Sequence, residues 1–454
     1  MALSANTVAQ LRTDGDDNNG GGFITGASGT DYSTQTSAQA TLTTASIVHT
    51  TTTQITVDGG DYTVAAGDVG NLLNITGGTA TAGWYEITAV DTGNNRWTLD
   101  RSAGTSTQTL VAKMGGALAS FGRFGELHAA QGLAGWKCYC KSGTYTAMTT
   151  ATQNVAGGAL LISSVNFIME SYLTTPGDGE DQATWPEAVM DAGAVTSIGY
   201  MISATTGYGV ETKFVGVKCD GQGGSGNNGF TGTGNYNAVT FMYCTAFDLV
   251  TGFSVRCKVI GCVADTCTSG YTGVIVAYSF AVSCTSGFKM TSDSRWFMCV
   301  AYGCTDGFIY FGTAYSISVI NCASINNTSD GFDMGSSQSQ LLCNCIAWNN
   351  TGTGFKTGTQ GISLNYCAAG DNGTDYSNTQ KTHPGAVDLT ADPFTDSASY
   401  DFSLNSAAGG GALCKAAGIL MPSNVKPDLG GVWPTPAAGG GGLLRVGMSG
   451  GVFG

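Results

Sequence analysis

Cys262 to Tyr271 reads CVADTCTSGY, and thirty-seven residues later Cys299 to Phe308 reads CVAYGCTDGF. Between them, Phe280 to Phe288 gives a shortened version, FAVSCTSGF. Cysteine, alanine and a Gly-aromatic pair return at matching places. Three explanations compete for such a phrase: a metal site, a set of disulfides, or a structural repeat whose coils stack like on like.

The repeat extends well beyond these lines. Gly-aromatic pairs recur at Gly229-Phe230, Gly252-Phe253, Gly270-Tyr271, Gly287-Phe288, Gly307-Phe308, Gly331-Phe332 and Gly354-Phe355, in steps of 23, 18, 17, 20, 24 and 23 residues. A cysteine followed closely by alanine precedes most of them, at Cys244, Cys262, Cys299, Cys322 and Cys345, and returns at Cys367. The intervening apolar runs, such as Lys258 to Ile260, Ile317 to Ile320 and Leu341 to Cys343, are short and broken by Gly, Asn, Ser and Thr. That pattern predicts short strands joined by turns. A unit this short cannot bury its own apolar face and must stack on its neighbours. The solution is a parallel β-helix, with one rung per strand spacing of about 4.8 Å.

In such a solenoid a cysteine at one inward position meets a small apolar residue above and below, and free cysteine behaves as a small hydrophobe. The metal reading fares worse. Cys138-Tyr139-Cys140 and Cys343-Asn344-Cys345 have one intervening residue where zinc sites use two to four, and there are only three histidines. Fifteen cysteines cannot all pair within one chain. The cysteines are therefore expected to be free packing residues.

Composition narrows the function. Charged residues are 11% of the 454, against roughly 25% in ordinary soluble domains, and Gly numbers 69. The net charge is −14 and no segment is rich in Lys or Arg, which argues against nucleic acid as a partner because binding it needs cations to neutralise phosphates. No run of about 20 apolar residues predicts a membrane span. Met1 to Gly15 has neither a basic nor an apolar leader region, so no secretory signal is expected.

The two ends carry a resemblance. Trp136 to Tyr145, WKCYCKSGTY, resembles the strand and Gly-x-Tyr turn that open the first full coil of pectin-lyase-like right-handed β-helix proteins. Leu11 to Ala45 resembles their initial strand, Gly-Asp loop and short capping helix. Asp392 to Gly418, DPFTDSASYDFSLNSAAGGGALCKAAG, resembles their closing segment, and Asp428 to Gly431 the strand after it. The resemblance implies an all-β fold: a right-handed single-stranded parallel β-helix with a small β insertion near the N-terminus and a Gly-rich C-terminal tail. Its parts are residues 1–47 (first strand and cap), 48–115 (insertion), 116–432 (β-helix) and 433–454 (tail). Within the insertion, alternation at Gln54 to Val57, Trp84 to Thr88 and Arg96 to Leu99 predicts strands, and Asp91 to Asn95 a hairpin turn. The tail, Gly439 to Gly454, reads as a Gly linker carrying a short apolar peptide, either a free end or a docking peptide.

Proteins of this resemblance include polysaccharide lyases, glycoside hydrolases, tailspikes and inert scaffolds, so fold alone does not decide activity. Hydrolysis needs two carboxylates at a defined separation. The coil region offers Asp220, Asp248, Asp265, Asp293, Asp306, Asp330, Asp333, Asp371 and Asp375. The Asn-Thr-Asp, Asp-Asp, Gly-His-Gly and Arg-Ile-Lys motifs of polygalacturonase-type hydrolases do not occur there. Asp306 and Asp330 each precede a Gly-Phe pair, which predicts adjacent coils, and most Asp and Asn in this region read as turn formers. A lyase needs a basic residue, and Arg256, Lys258, Lys289, Arg295 and Lys356 are the candidates. His49, His128 and His383 are scattered. Asp14 to Gly20 has the look of a Ca²⁺ loop but lacks the closing Glu. Tyr302, Tyr310, Tyr315 and Trp348 offer sugar-stacking rings if exposed and core if not.

No catalytic, cofactor-binding or metal residue is therefore assigned from sequence, and no cofactor. The expectation is a non-enzymatic structural protein of a bacteriophage particle: a capsid decoration, spike or fibre subunit, assembled in the host cytoplasm. Its partners would be other virion proteins and further copies of itself, such as a trimer, with neither nucleic acid nor membrane. The rival expectation is a tailspike-like protein that binds or cleaves a host surface glycan.

Overall fold

The computed structural model describes residues 3, 6–43, 46–47, 53–104, 108–131, 135–146, 160–162, 167–175, 188–191, 201–206, 212–222, 226–234, 239–254, 257–273, 275–290, 294–311, 317–335, 340–358, 362–377, 383–415 and 417. They form two compact units, residues 1–180 with 186–217 and residues 181–185 with 218–454.

The opening phrase explains a whole coil of the second unit. Lys258–Ile260 is a strand of the first sheet, Val263–Asp265 of the second and Ser269–Thr272 of the third. A single left-handed residue makes each of the two tight corners, Gly261 at φ 62° and Thr266 at φ 53°. The residue after each corner turns inward: Cys262 and Cys267, both buried. The next coils repeat this with Tyr278, Met298, Asn321, Asn344 and Tyr366 at the first corner, and Ser283, Gly303, Asn326, Asn349 and Asp371 at the second. Asn and Gly are at home in the left-handed region; Tyr and Met are held there by context.

The two cysteines of the phrase thus belong to different ladders. After the first corner the column runs Cys244, Cys262, Ser279, Cys299, Cys322, Cys345 and Cys367, each carbonyl accepting a hydrogen bond from the coil above or below. After the second it runs Asn227, Leu249, Cys267, Cys284, Cys304, Asn327, Asn350 and Asn372. Where thiols give way to amides, the amides bond along the axis. Cys304 N–H donates to Asn327 Oδ1 at 2.8 Å, Asn327 Nδ2 to Asn350 Oδ1 at 2.7 Å, and Asn350 Nδ2 to Asn372 Oδ1 at 2.8 Å. All fifteen cysteines are free and buried, as the repeat reading requires.

The aromatic of each Gly-aromatic pair joins one continuous stack: Phe230, Phe253, Tyr271, Phe288, Phe308, Phe332, Phe355 and Tyr376. Neighbouring centroids lie 4.6–5.5 Å apart with rings 5–12° from parallel. That is the strand spacing of a parallel sheet imposed on side chains. The preceding glycines are required by close approach. A Cβ on Gly270, Gly287 or Gly331 would lie 2.6–2.7 Å from the carbonyl oxygen of the glycine one coil on.

The closing segment folds onto the outer face of the second sheet. Phe394–Asp396 and Asp401–Leu404 form an antiparallel hairpin, and Phe394, Phe402, Leu404 and Cys414 pack with Val300, Ile325, Ile346 and Trp348 in one buried cluster. The expected strand at Asp428 to Gly431 and the tail lie outside the described residues.

The first unit holds the chain's opening. Thr7–Leu11 pairs in parallel with Lys137–Lys141, which pairs with Phe167–Tyr172, which pairs with Thr212–Val215. Between its first two strands the chain inserts a seven-stranded antiparallel sheet. Its core includes Ile55, Leu73, Ile75, Trp97 and Leu110. The expected hairpin is present, with Asp91 opposite Arg96. The sheet also takes in Ala40–Leu42 and Ser46–Ile47, upstream of residue 48. The capping helix requires a correction. The described part of Leu11 to Ala45 forms strands and turns, whereas the helix is Phe121–Gln131, after the insertion. Its Phe121, Phe124 and Leu127 are fully buried.

Candidate functional site

Among the described residues, a cluster of charge lies on the outer face of the third sheet. Strand pairing sets Lys289 beside Ile309, Ile309 beside Asp333 and Asp333 beside Lys356. Asp306 and Asp330 occupy adjacent coils, as their spacing predicted: Gly307 N–H donates to Asp330 O, and Asp330 N–H donates to Asp306 Oδ1 at 3.4 Å. The ring of Phe311 projects from the same wall, 65% exposed, with Lys289 Nζ 4.6 Å from its centroid.

The hydrogen bonds show what these carboxylates do. Asp330 Oδ1 accepts Thr353 N–H at 2.7 Å and its Oδ2 pairs with Lys356 Nζ at 2.8 Å. Asp333 accepts Gly335 N–H at 3.2 Å and pairs with the same ammonium at 2.9 Å. The Thr353 and Lys356 contacts tie one coil to the next, and the Gly335 contact closes a local turn. Hydrogen bonds to Asp330, then to Asp333, raise the pKa of Lys356 above that of an ordinary lysine. A base that abstracts a proton must first lose its own, so this pairing works against lyase chemistry at Lys356.

The other sequence candidates are dispersed. Asp220 accepts Gln222 N–H and pairs with Lys218 at 3.6 Å. Asp375 accepts Asn372 Nδ2 at 2.9 Å. Asp248 and Asp371 are left-handed corner residues. Asp265 is half-buried, and burial raises its carboxyl. His128 is buried among Phe124, Trp136 and Phe167. His383 lies edge-on to Tyr376 at the end of the aromatic stack. Trp348 is buried and Tyr302 half-buried beneath the closing hairpin, so the sugar-stacking reading fails for Trp348 and is weakened for Tyr302. Tyr310 is half-buried. Asp293, Arg256, His49 and Tyr315 lie outside the described residues.

The Asp14 to Gly20 loop is a clamp. Asp14 pairs with Arg12, Asp16 with Lys113, and Asp17 accepts the N–H groups of Ala119 and Ser120 at the start of the helix. These contacts join the first strand to the end of the insertion and to the cap. Among the described residues no group of three or more His, Cys, Asp or Glu is placed to hold a metal ion.

One arrangement is assembled only by the stacking of coils. The outer face of the first sheet in the second unit carries Lys258, Ile275, Arg295, Ser318 and Leu341 in one column, and Ile260, Ala277, Phe297 and Ile320 in the next. No carboxylate stands in either column. Neither cation has an ion-pair partner among the described residues. Period-two alternation held the signal, because alternate residues of each strand share a face.

The parallel three-sheet coils, their one-residue corners and the closing hairpin settle the architecture. The fold is a parallel β-helix of three sheets. No known family model and no curated protein sequence matches the chain. Among solved structures it is similar to the pectate lyase Pel9A, at 15% identity and a TM-score of 0.40, over 67% of this chain and 90% of that one. It is also similar to the catalytic domain of a GH87 alpha-1,3-glucanase, at 9% identity and a TM-score of 0.32, over 78% and 89%. A third likeness is to the tailspike protein gp49 from Pseudomonas phage LKA1, at 11% identity and a TM-score of 0.17, over 82% and 65%. These likenesses concern the fold alone.

Proposed function

We propose that this protein is a non-enzymatic structural component of a bacteriophage particle, a decoration, spike or fibre subunit whose β-helix serves as a rigid wall. The observation that carries the reading is the disposition of its carboxylates. Asp306, Asp330 and Asp333, the acids that converge on one wall, hydrogen-bond backbone amides or neutralise Lys356. A hydrolase would keep one carboxyl free to protonate a leaving group and another free to attack or activate water. Two buried ladders and an eight-ring stack suit a rod that resists unfolding, and free thiols suit assembly in a reducing cytoplasm.

Quantitative mass spectrometry of purified particles tests this reading. A copy number comparable to the shell subunits supports a decoration, and a few to a few dozen copies support a tail or vertex appendage. Absence from particles would remove it.

A second reading has its own observation. The first-sheet wall presents Arg295 beside Phe297, which is 37% exposed, with no acid in its columns. That chemistry suits recognition of an anionic host glycan without cleavage, and retention on immobilised acidic polysaccharide that is lost in Arg295→Ala would favour it.

A further inference from the structure

The two Cys-x-Cys stretches fold differently. In Cys343-Asn344-Cys345 the left-handed Asn344, at φ 59°, turns the chain between the cysteines. Cys343 continues the outer column of Phe297 and Ile320, whereas Cys345 joins the buried ladder after the corner. In Cys138-Tyr139-Cys140 no corner intervenes. Both cysteines lie on the strand Lys137–Lys141, where alternate residues share a face, and both are fully buried. Their Sγ atoms stand 3.7 Å apart. On the next coil Met169 is the in-register partner of Cys138 and is likewise fully buried. Ala9 and Leu11 are the partners of the two cysteines on the other side. Three sulfurs of two adjacent rungs therefore share one dry, apolar stretch of the interior of the first unit.

We propose that Cys138, Cys140 and Met169 form a binding site for a single Cu(I) ion, held by two thiolates and a thioether. Metal–sulfur bonds of about 2.3 Å meeting at about 120° set two sulfurs about 4.0 Å apart, whereas a linear arrangement needs about 4.6 Å. The observed 3.7 Å matches the three-coordinate case. The third ligand comes from the neighbouring rung, about 4.8 Å away, and the three rotatable bonds of Met169 let its sulfur reach across. Thiolate and thioether are the soft donors that select Cu(I). Zinc asks for four ligands, and among the described residues no third Cys, His or carboxylate joins the pair. The hydroxyl of Ser171, the in-register partner of Cys140, is committed to Gly216 O at 2.8 Å. Binding is an exchange without change of oxidation state: one Cu(I) enters, two thiol protons leave to solvent, and two Cu–S bonds replace two S–H bonds. Burial, then the Cys140 thiol, holds Cys138 protonated in the empty site, so its proton departs only as the cation takes its place. The bound ion staples the strand Lys137–Lys141 to Phe167–Tyr172.

This inference does not depend on the proposed function. Cell-free synthesis of the full chain in a reducing mixture buffered in Cu(I) supplies the ion before the site closes. Copper retained through gel filtration is then counted and competed with a Cu(I) chelator, with circular dichroism as the check on folding. The expected result is one copper per wild-type chain, ligated by sulfur alone in X-ray absorption, and a higher unfolding midpoint than that of copper-free protein. Cys140→Ser should lose the ion, while Cys322→Ser, altered in the ladder of the second unit, should keep it. Met169→Leu preserves the core volume and so keeps the test open where a cysteine variant fails to fold; it should hold copper at least tenfold more weakly. Folded wild type without copper overturns the inference. So does a folded Cys140→Ser protein that retains the ion, a Cys322→Ser protein that loses it, or ligation by nitrogen or oxygen. Unaltered affinity in Met169→Leu would remove the thioether and with it the three-coordinate site.

Discussion

Gly287 and Gly303 lie in one repeat yet answer to different demands. A Cβ on Gly287 would stand 2.7 Å from Gly307 O and 3.1 Å from Ala281 Cβ, so Gly287→Ala must push two coils apart. A loss of about 1–3 kcal/mol is expected, the range for overpacked cores, read as a fall in the unfolding midpoint. Gly303 is a left-handed corner at φ 62° with nothing within 4 Å of its would-be Cβ, and Asn326 and Asn349 fill the same column at φ 55° and 53°. Gly303→Asn should therefore leave the midpoint within about 0.5 kcal/mol of wild type. These corners were partly legible in sequence. Gly261, Asn321 and Asn344 advertise a left-handed residue, but Tyr278 and Met298 do not, because bulky residues reach that conformation only when the surrounding coils impose it. For the same reason the sequence showed recurring cysteines without showing that they form two separate ladders.

At the scale of elements, the aromatic stack was the clearest signal and the capping helix the weakest. Phe288 stacks on Tyr271 and Phe308 at 4.6 Å on both sides. Phe288→Ala should cost about 3–5 kcal/mol, the usual range for a buried Phe truncation, while Phe288→Leu should cost distinctly less; thermal unfolding separates them. The helix Phe121–Gln131, FGRFGELHAAQ, contains two glycines that lower its intrinsic propensity. It forms because Phe121, Phe124 and Leu127 bury one face, a tertiary cause that local sequence conceals. The same helix carries a pH dependence. Burial pushes His128 down to about 4, against about 6.5 in an unfolded chain. The unfolded state thus binds the extra proton first as pH falls. Stability is full above pH 6.5 and declines from there towards pH 4, by on the order of 3 kcal/mol from this group. His128→Phe should flatten that window in melts at stepped pH, and an unchanged slope would place the dependence elsewhere.

For the whole molecule, the odd cysteine count foretold unpaired thiols, and their uniform burial gives a direct expectation. A thiol reagent should leave native protein unlabelled over the time in which all fifteen react in denaturant. The path of the closing segment was legible as sequence but its consequence was not. Asp392 to Gly418 was expected to close the helix; that it would bury Trp348 and hide the second wall depends on outward-facing residues of coils far apart in the chain. Candidate carboxylates posed the same difficulty. Spacing placed Asp306 and Asp330 on adjacent coils, whereas the partners that occupy Asp330, Thr353 and Lys356, follow more than twenty residues later.

The proposed function requires that these walls hold the solenoid together and perform no chemistry. Release of new reducing ends from a panel of neutral and acidic polysaccharides, measured for wild type beside Asp330→Asn, tests it most directly, since hydrolysis and elimination both create such ends. The account predicts no release by either protein and a lower unfolding midpoint for Asp330→Asn, which loses its charged pairing with Lys356. Sustained release by wild type, abolished in an Asp330→Asn protein that remains folded, would contradict it.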